Sequence, residues 1–538
     1  MKIKDRIYIK EWLSLKPYKI HTTTDTYYLK LCNDVKKAIM SNVSVIVLFR
    51  YLGMRETHIL CCFLTSYFED LISKTNIWNA FVKKHTEMYG KQLPFYDLED
   101  YYEEEINHQD ACFLIWYFLN TTNDYEIISP FNEFITLLAE EVMKVFEEAW
   151  DYAPENSQLK TYYQLDEDEE NFYIARNLVE KILFETYLFY PDTYFRLLDK
   201  EAQIIEDAEY NNTYNKVALL TENRDTTTHT IHTCLLSLKG SEWASEILGN
   251  DHPVSEHYKE ITTKVVGFFL YKGQDERYVC LEHVASGKHF NLLKYSFDEA
   301  AKLIEIDTIV YIGLVRWRND WWFSGTYFQE EYDDDLIQSE KKSLHQIAMV
   351  NFLDQNREER IAPIIENQHR VFKEMNGDSI IAFMPANEID GFIKRFNNQL
   401  NLAILADQEE KEVDQKLMEL PQNDNPISTK IDESEDPGLV FFNINSGVEI
   451  VYWVNSAFPL PENYFYDPDE SEQDTIALIT SDEISKELAL YCVENFKDDL
   501  PLFKNDDTWK SYLRDFDFLL RFWKKHQYHA KYEITLSD

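Results

Sequence analysis

The sequence predicts an α+β protein with a helical N-terminal domain, a small central β-barrel and an α+β C-terminal region. Three observations predict it. Through most of residues 1–210, apolar residues recur at three- and four-residue steps, the period of helices that bury one face. The stretch from Thr262 to Phe328 instead divides into runs of strand length separated by turn signals, enough for about five strands and a small barrel. Past residue 437, an apolar hairpin pattern precedes a helical one.

The elements follow in order. Residues 1 to about 23 read as an irregular lead-in. Thr24 or Asp25 then caps a helix with Tyr28, Leu31, Cys32, Val35 and Ile39 on one face, since a short polar side chain can satisfy a free backbone N–H there. The same period runs through 55–73, 101–119 and 132–150. In the last of these, Phe134, Leu138, Val142, Val145 and Ala149 form a stripe opposite Glu140, Glu141, Glu147 and Glu148. A helix is expected over 171–190, which completes a helical domain over 1–210, with a helical connector over 211–261.

The barrel is assigned to 262–330, with turn signals at Gly273–Glu276 and Ala285–Lys288. Residues 331–406 read as helical with one short strand: a helix from Glu340 to Met375 that Pro363 should break, the strand SIIAFM, then a helix over 387–400. Residues 407–437 hold eleven acids, three lysines and no aromatic residue, the composition of an acidic linker or loop. In 438–538, GLVFFNINSGVEIVYWV predicts a hairpin turning at Asn445–Gly447, and Ser481 caps a helix with Ile484, Leu488, Cys492 and Phe496 on one face.

Charge and composition exclude several classes. Lysine and arginine number 53 against 96 acids, a net charge of −43, which repels polyanions. Nucleic acid and anionic membrane are therefore disfavoured partners, since phosphate binding draws on a basic face. A basic protein partner is compatible with this charge. Seven cysteines with no C-x-x-C pair suggest neither a disulfide framework nor a thiolate zinc knuckle. The apolar stretch SVIVLFRYLGMRETHILCCFL is interrupted by Arg50, Arg55, Glu56 and His58, so no spanning helix is expected and a cytoplasmic location is. Glycine occurs only 13 times, and the nearest pair, Gly267 and Gly273, is six apart. This spacing excludes the Walker A loop, G-x-G-x-x-G and the G-x-S-x-G elbow, whose backbones need closely spaced residues without Cβ. No histidine is followed by glutamate, so HExxH is missing as well.

The opening IYIKEWLSLKPY and DTYYLKLCNDV, with the late run FNINSGVEIVYWVNSAFPLPENYF, resembles an uncharacterised bacterial family defined only as a domain of unknown function. The resemblance implies a bacterial cytoplasmic origin and transfers no site residue and no cofactor.

Two constellations could carry function. The first is the hairpin VRWRNDWWF. If Asn319 and Asp320 form its turn, Trp317 lies opposite Trp322, while Arg318 faces Trp321 and Arg316 faces Phe323. Arg316, Arg318, Trp321 and Phe323 then make an outward, partner-binding face of cations over rings, with Trp317 and Trp322 inside the barrel. The plainer alternative is that one face fills the barrel and the arginines neutralise neighbouring acids. The second constellation is His229, His232, His252 and His257, four of 14 histidines within 29 residues, a candidate metal set with Asp225, Cys234, Asp251 and Glu256 as further donors. Its alternative is capping, packing or surface histidines. Glu105 with His108 and Glu366 with His369 match the E-x-x-H spacing of di-iron bundles but fall in different predicted domains. The run DEDEE at 166–170 lacks the glycine of a calcium loop and reads as solvated charge.

The sequence therefore predicts a non-catalytic interaction or scaffold protein presenting the barrel to a protein or peptide partner. The alternatives are a metal-dependent enzyme at the histidine group and a nucleic-acid-associated protein using the barrel.

Overall fold

The computed structural model describes residues 6–98, 100–123, 127–210, 215–262, 264–351, 353, 357–410 and 436–529. Helix α1 (Thr23–Ser41) starts before the expected cap. Thr22 is the cap residue, and Asp25 stands in the first turn, accepting from the Thr22 amide at 2.6 Å. Asp25 also accepts from Trp12 Nε1 and Tyr18 Oη, so a buried carboxylate ties the lead-in to the helix. The predicted stripe from Tyr28 to Ile39 is buried.

Helix α2 (Met54–Ser73) is buried on most sides and forms the axis of the helical region, flanked by α3 (Ile77–Tyr89). Helix α4 (His108–Thr122) starts later than periodicity suggested. Asn107 donates to the carbonyls of Tyr102 and Glu105 and so holds 102–107 as a turn. Asn132 and Asn171 accept from the amides of Phe134 and Tyr173, starting α5 (Glu133–Ala149) and α6 (Phe172–Glu185) where expected. A single π-helical turn over Tyr190–Tyr194 then leads into α7 (Phe195–Tyr210). Helices α8 (Lys216–Thr230) and α9 (Gly240–Leu248) precede the barrel.

The barrel comprises β1 (Val265–Gln274), β2 (Tyr278–His283), β3 (His289–Leu293), β4 (Ile309–Trp317) and β5 (Asp320–Glu330). It is closed in the order β1-β2-β3-β5-β4, antiparallel except for β3 beside β5. This is the arrangement of OB-type five-stranded Greek-key barrels. Phe269, Leu281, Phe290, Val310, Ile312 and Leu314 fill it.

The hairpin register corrects the expectation. Trp317 pairs with Asp320, Arg316 with Trp321 and Val315 with Trp322, so Arg318 and Asn319 form the turn, with Arg318 left-handed at φ 52°. Asp320 is held in strand β5 by Arg277 at 3.0 Å and the Tyr278 hydroxyl at 2.8 Å. The faces are reversed too. Trp321 and Phe323 pack on the barrel core, whereas Trp317 and Trp322 leave the barrel and join the core of the helices.

Beyond the barrel, Pro363 lies within α10 (Arg357–Met375) and does not end it. Strands β6 (Ile381–Pro385), β7 (Pro437–Asn443) and β8 (Gly447–Val451) form an antiparallel sheet. It is covered by α10 and α11 (Ala386–Glu410) through Phe372, Ile389, Phe396 and Phe442. Within the expected acidic linker, 407–410 end α11 and Pro437 begins β7; 411–435 lie outside the described residues. Two helices follow where the sequence suggested one. Ser481 ends α12 (Ser471–Thr480), and Ser485 caps α13 (Lys486–Phe496) by accepting from Leu488. Finally α14 (Phe516–Trp523) inserts into the N-terminal helices. Phe518 lies 5.8 Å from Phe95 and Phe522 lies 5.1 Å from Trp116, ring to ring. One apolar cluster thus runs from Ile7 to Tyr528. Among the described residues no helix is long and apolar enough to cross a membrane.

Candidate functional site

The barrel is fastened to the helices by a buried polar cluster beneath β5. Lys264, just before β1, is 3% exposed and pairs with Glu222 and Asp225 of α8. Arg176 of α6 meets the same Asp225 at 3.0 Å. Ser324 donates to Asp225 at 2.7 Å, and the Thr326 amide donates to Glu222 at 2.8 Å. A Cβ at Gly325, where φ is +90°, would overlap the Lys264 ammonium and the Glu222 carboxylate, so glycine leaves room for the cluster. Burial alone would raise the Asp225 carboxyl; Lys264 and Arg176 outweigh it and hold it below its usual range.

His229 Nε2 stands 3.3 Å from Ser324 Oγ. Burial pushes its pKa down to about 4, so it is neutral at pH 7. The Ser324 proton is engaged by Asp225, which leaves its oxygen to accept from His229. That polarity is opposite to a serine activated by a histidine base, and the trio docks the barrel.

The other histidines lie in separate surroundings. His232, pushed by burial to about 3, stacks on His529 at 5.2 Å. His252 bonds the Leu165 carbonyl through Nε2 and accepts from the Val254 amide. His257 sits by Trp317. Among the described residues, no three histidine, cysteine or carboxylate side chains group to hold a metal ion. The E-x-x-H pairs do not assemble either: His108 begins α4, while His369 lies against Phe442.

What the fold brings together instead is a groove of about 700 Å³ between the barrel and the loop preceding α6. Its barrel wall comes from Arg277 and the first residue of β2, Tyr278, from Leu293 at the end of β3 and Tyr295 just after it, and from the β4–β5 turn with the first residue of β5 (Arg318 to Asp320); its helical wall is Glu170 and Asn171. Trp317, 1% exposed, donates to the Glu170 carbonyl at 3.2 Å. Arg318 donates to the Glu169 carbonyl at 2.6 Å. Trp322 is wedged between Phe172, Tyr173 and Tyr295 and is 6% exposed. Its indole N–H makes no hydrogen bond among the described residues, and the residue lines the groove. Tyr295 is 74% exposed.

Of the four hairpin residues singled out in the sequence, only Arg318 lines the groove. Arg316 is half-buried, its Nε enclosed without a hydrogen-bond partner among the described residues, and Trp321 and Phe323 serve the barrel core. Sequence reasoning missed Arg277, Tyr278, Tyr295 and Trp322 as a group. Trp322 was expected inside the barrel, and the others carry no periodic signal.

Fold and groove define an α+β protein in which an OB-type barrel is docked on a helical body. The chain belongs to the family described as "Protein of unknown function (DUF3843)", which matches residues 6–283, from the lead-in through β2. This bears out the expected membership of an uncharacterised family. No curated protein and no solved structure matches the chain.

Proposed function

We propose that the protein is a non-catalytic binding protein that receives a protein or peptide partner in the groove between barrel and helices, in a cytoplasmic setting. Trp322 carries the reading: a tryptophan almost wholly packed lines an open cleft, and its N–H makes no hydrogen bond among the described residues, so that a ligand carbonyl in the cleft would satisfy it. The groove's volume lies in the range of ligand clefts, and its few polar groups are fixed in place by Asp320 and the Glu169 carbonyl.

A nucleic-acid partner is the second reading, favoured by the barrel topology. Against it, residues 262–330 carry eight lysines and arginines against nine acids, which leaves no positive excess for phosphate.

The test is cross-linked capture from nuclease-treated lysate by wild type, Tyr295→Ala and Trp322→Phe, the last keeping a ring while removing the N–H. The expected result is a protein retained by wild type and reduced at least fivefold by each variant. Equal capture by all three would refute the groove; loss of capture on nuclease treatment would favour the second reading.

A further inference from the structure

The short helix Val45–Tyr51, between α1 and α2, is apolar at every position except Arg50. A helix of that composition belongs inside a core, and one side of it reaches one: Leu48 is buried, with Val45, Val47 and Tyr51 packed partly against the same cluster. The other side faces solvent. Val43 is 80% and Ile46 70% exposed, and Phe49 and Met54 are exposed as well. Single exposed apolar residues are ordinary, whereas a group of them marks a contact surface. The surface is also basic in an acidic chain: residues 35–55 hold four lysines and arginines and no acid, where the whole has 96 acids against 53 bases. Arg50 and Arg55 are exposed and make no ion pair among the described residues.

A surface of the opposite kind lies on α7. That helix packs on α8 and buries Leu197 and Ala208. On its outer side Leu198, Ala202 and Ile205 are exposed at steps of four and three, which places them in one stripe. Helical geometry puts Asp199 and Glu206 along one flank of the stripe and Glu201 along the other. Asp199 and Glu206 are exposed and make no ion pair among the described residues. We infer that these two faces pair between copies of the chain. Val43, Ile46 and Phe49 of one copy cover Leu198, Ala202 and Ile205 of another, and Arg50 and Arg55 meet Asp199 and Glu206. Either face set against itself would bring like charges together, so the contact joins unlike surfaces, head to tail. Repulsion between copies of net charge −43 reaches only about 8 Å at physiological ionic strength, which leaves the contact itself to decide. The groove takes no part in it.

Sedimentation velocity of the full chain from about 1 to 100 µM, at physiological ionic strength, reads the assembly. Wild type is expected to associate into dimers or longer species as its concentration rises. Two variants each remove one face: I46S/R50S the basic one and I205S/E206S the acidic one, all four residues being exposed. Each variant alone should associate at least tenfold more weakly than wild type. An equimolar mixture of the two should form a two-chain species and nothing larger, because each keeps the face that the other has lost. The mixture also controls for folding, since a misfolded variant could not offer its intact face. A wild type that stays monomeric would overturn the proposal and leave both faces to other proteins. Unchanged association of I205S/E206S alone would overturn it in favour of the basic face pairing with itself, and unchanged association of I46S/R50S alone in favour of a contact elsewhere. A mixture that stays monomeric would overturn it too.

Discussion

Replacing Lys264 by alanine is expected to destabilise the protein by about 3 kcal/mol, because it strips the main counter-charge from two carboxylates under the barrel. Asp225 is fully buried and Glu222 mostly so. With Lys264 gone, Arg176 still faces Asp225 directly, which keeps the loss at the lower end of what breaking a buried pair costs. The damage should concentrate where barrel meets helix, since Ser324 and Thr326 of β5 hang from the same carboxylates. Urea midpoints would measure the loss, and amide exchange in β5 would locate it. Adding Asp225→Asn to Lys264→Ala should recover part of the cost, because the orphaned charge goes with it. A midpoint within about 0.5 kcal/mol of wild type would mean the cluster does not fasten the barrel.

A second large effect is expected from pH. Lys524 is fully buried, donates to the carbonyls of Ser481 and Ile484, and is pushed by burial from 10.5 down to about 7. The folded protein thus holds this proton more weakly than the unfolded chain. Its contribution to stability is complete above pH 10.5 and is lost as pH falls through 7. The whole interval is worth about 5 kcal/mol, so wild type should gain stability between pH 7 and 9.5, whereas Lys524→Met should show a flat profile there. Asp110 works in the opposite sense. Burial raises it to about 7 despite hydrogen bonds from Tyr67 and Tyr101, so its contribution is complete below pH 3.8 and is lost as pH rises to 7. Asp110→Asn should flatten that acid limb. Parallel slopes in wild type and variant would remove either residue as the cause.

What could be read from the sequence was whatever one element decides for itself. The stripes of α1 and α5 follow from side chains a turn apart, and Asn132 and Asn171 mark helix starts because a cap acts on its own next residues. The five strands of the barrel were visible in run length and turn residues. Errors began where a distant residue overrules local preference. Asn319–Asp320 is a reasonable turn by composition, but Arg277 and Tyr278 claim Asp320 for the strand, and Arg318 adopts the left-handed conformation instead. Trp317 and Trp322 were expected inside the barrel because a strand does not reveal which of its faces meets a second core. The groove was illegible for the same reason: Glu170 and Arg318 are 148 positions apart in the chain, and only the docking of barrel on helices makes them neighbours.

The insertion of α14 among the N-terminal helices bears on how the protein is made. Phe95, Phe113 and Trp116 gain their contacts with Phe518 and Phe522 only after some four hundred further residues have been translated. At roughly 5–20 residues per second, that wait is on the order of 20 to 80 s. During it the nascent helical region exposes aromatic surface that nothing yet covers, the kind of surface chaperones engage. Premature termination before residue 516 would leave that surface open for good, so a quality-control protease should clear such chains even when helices, barrel and groove have all been synthesised.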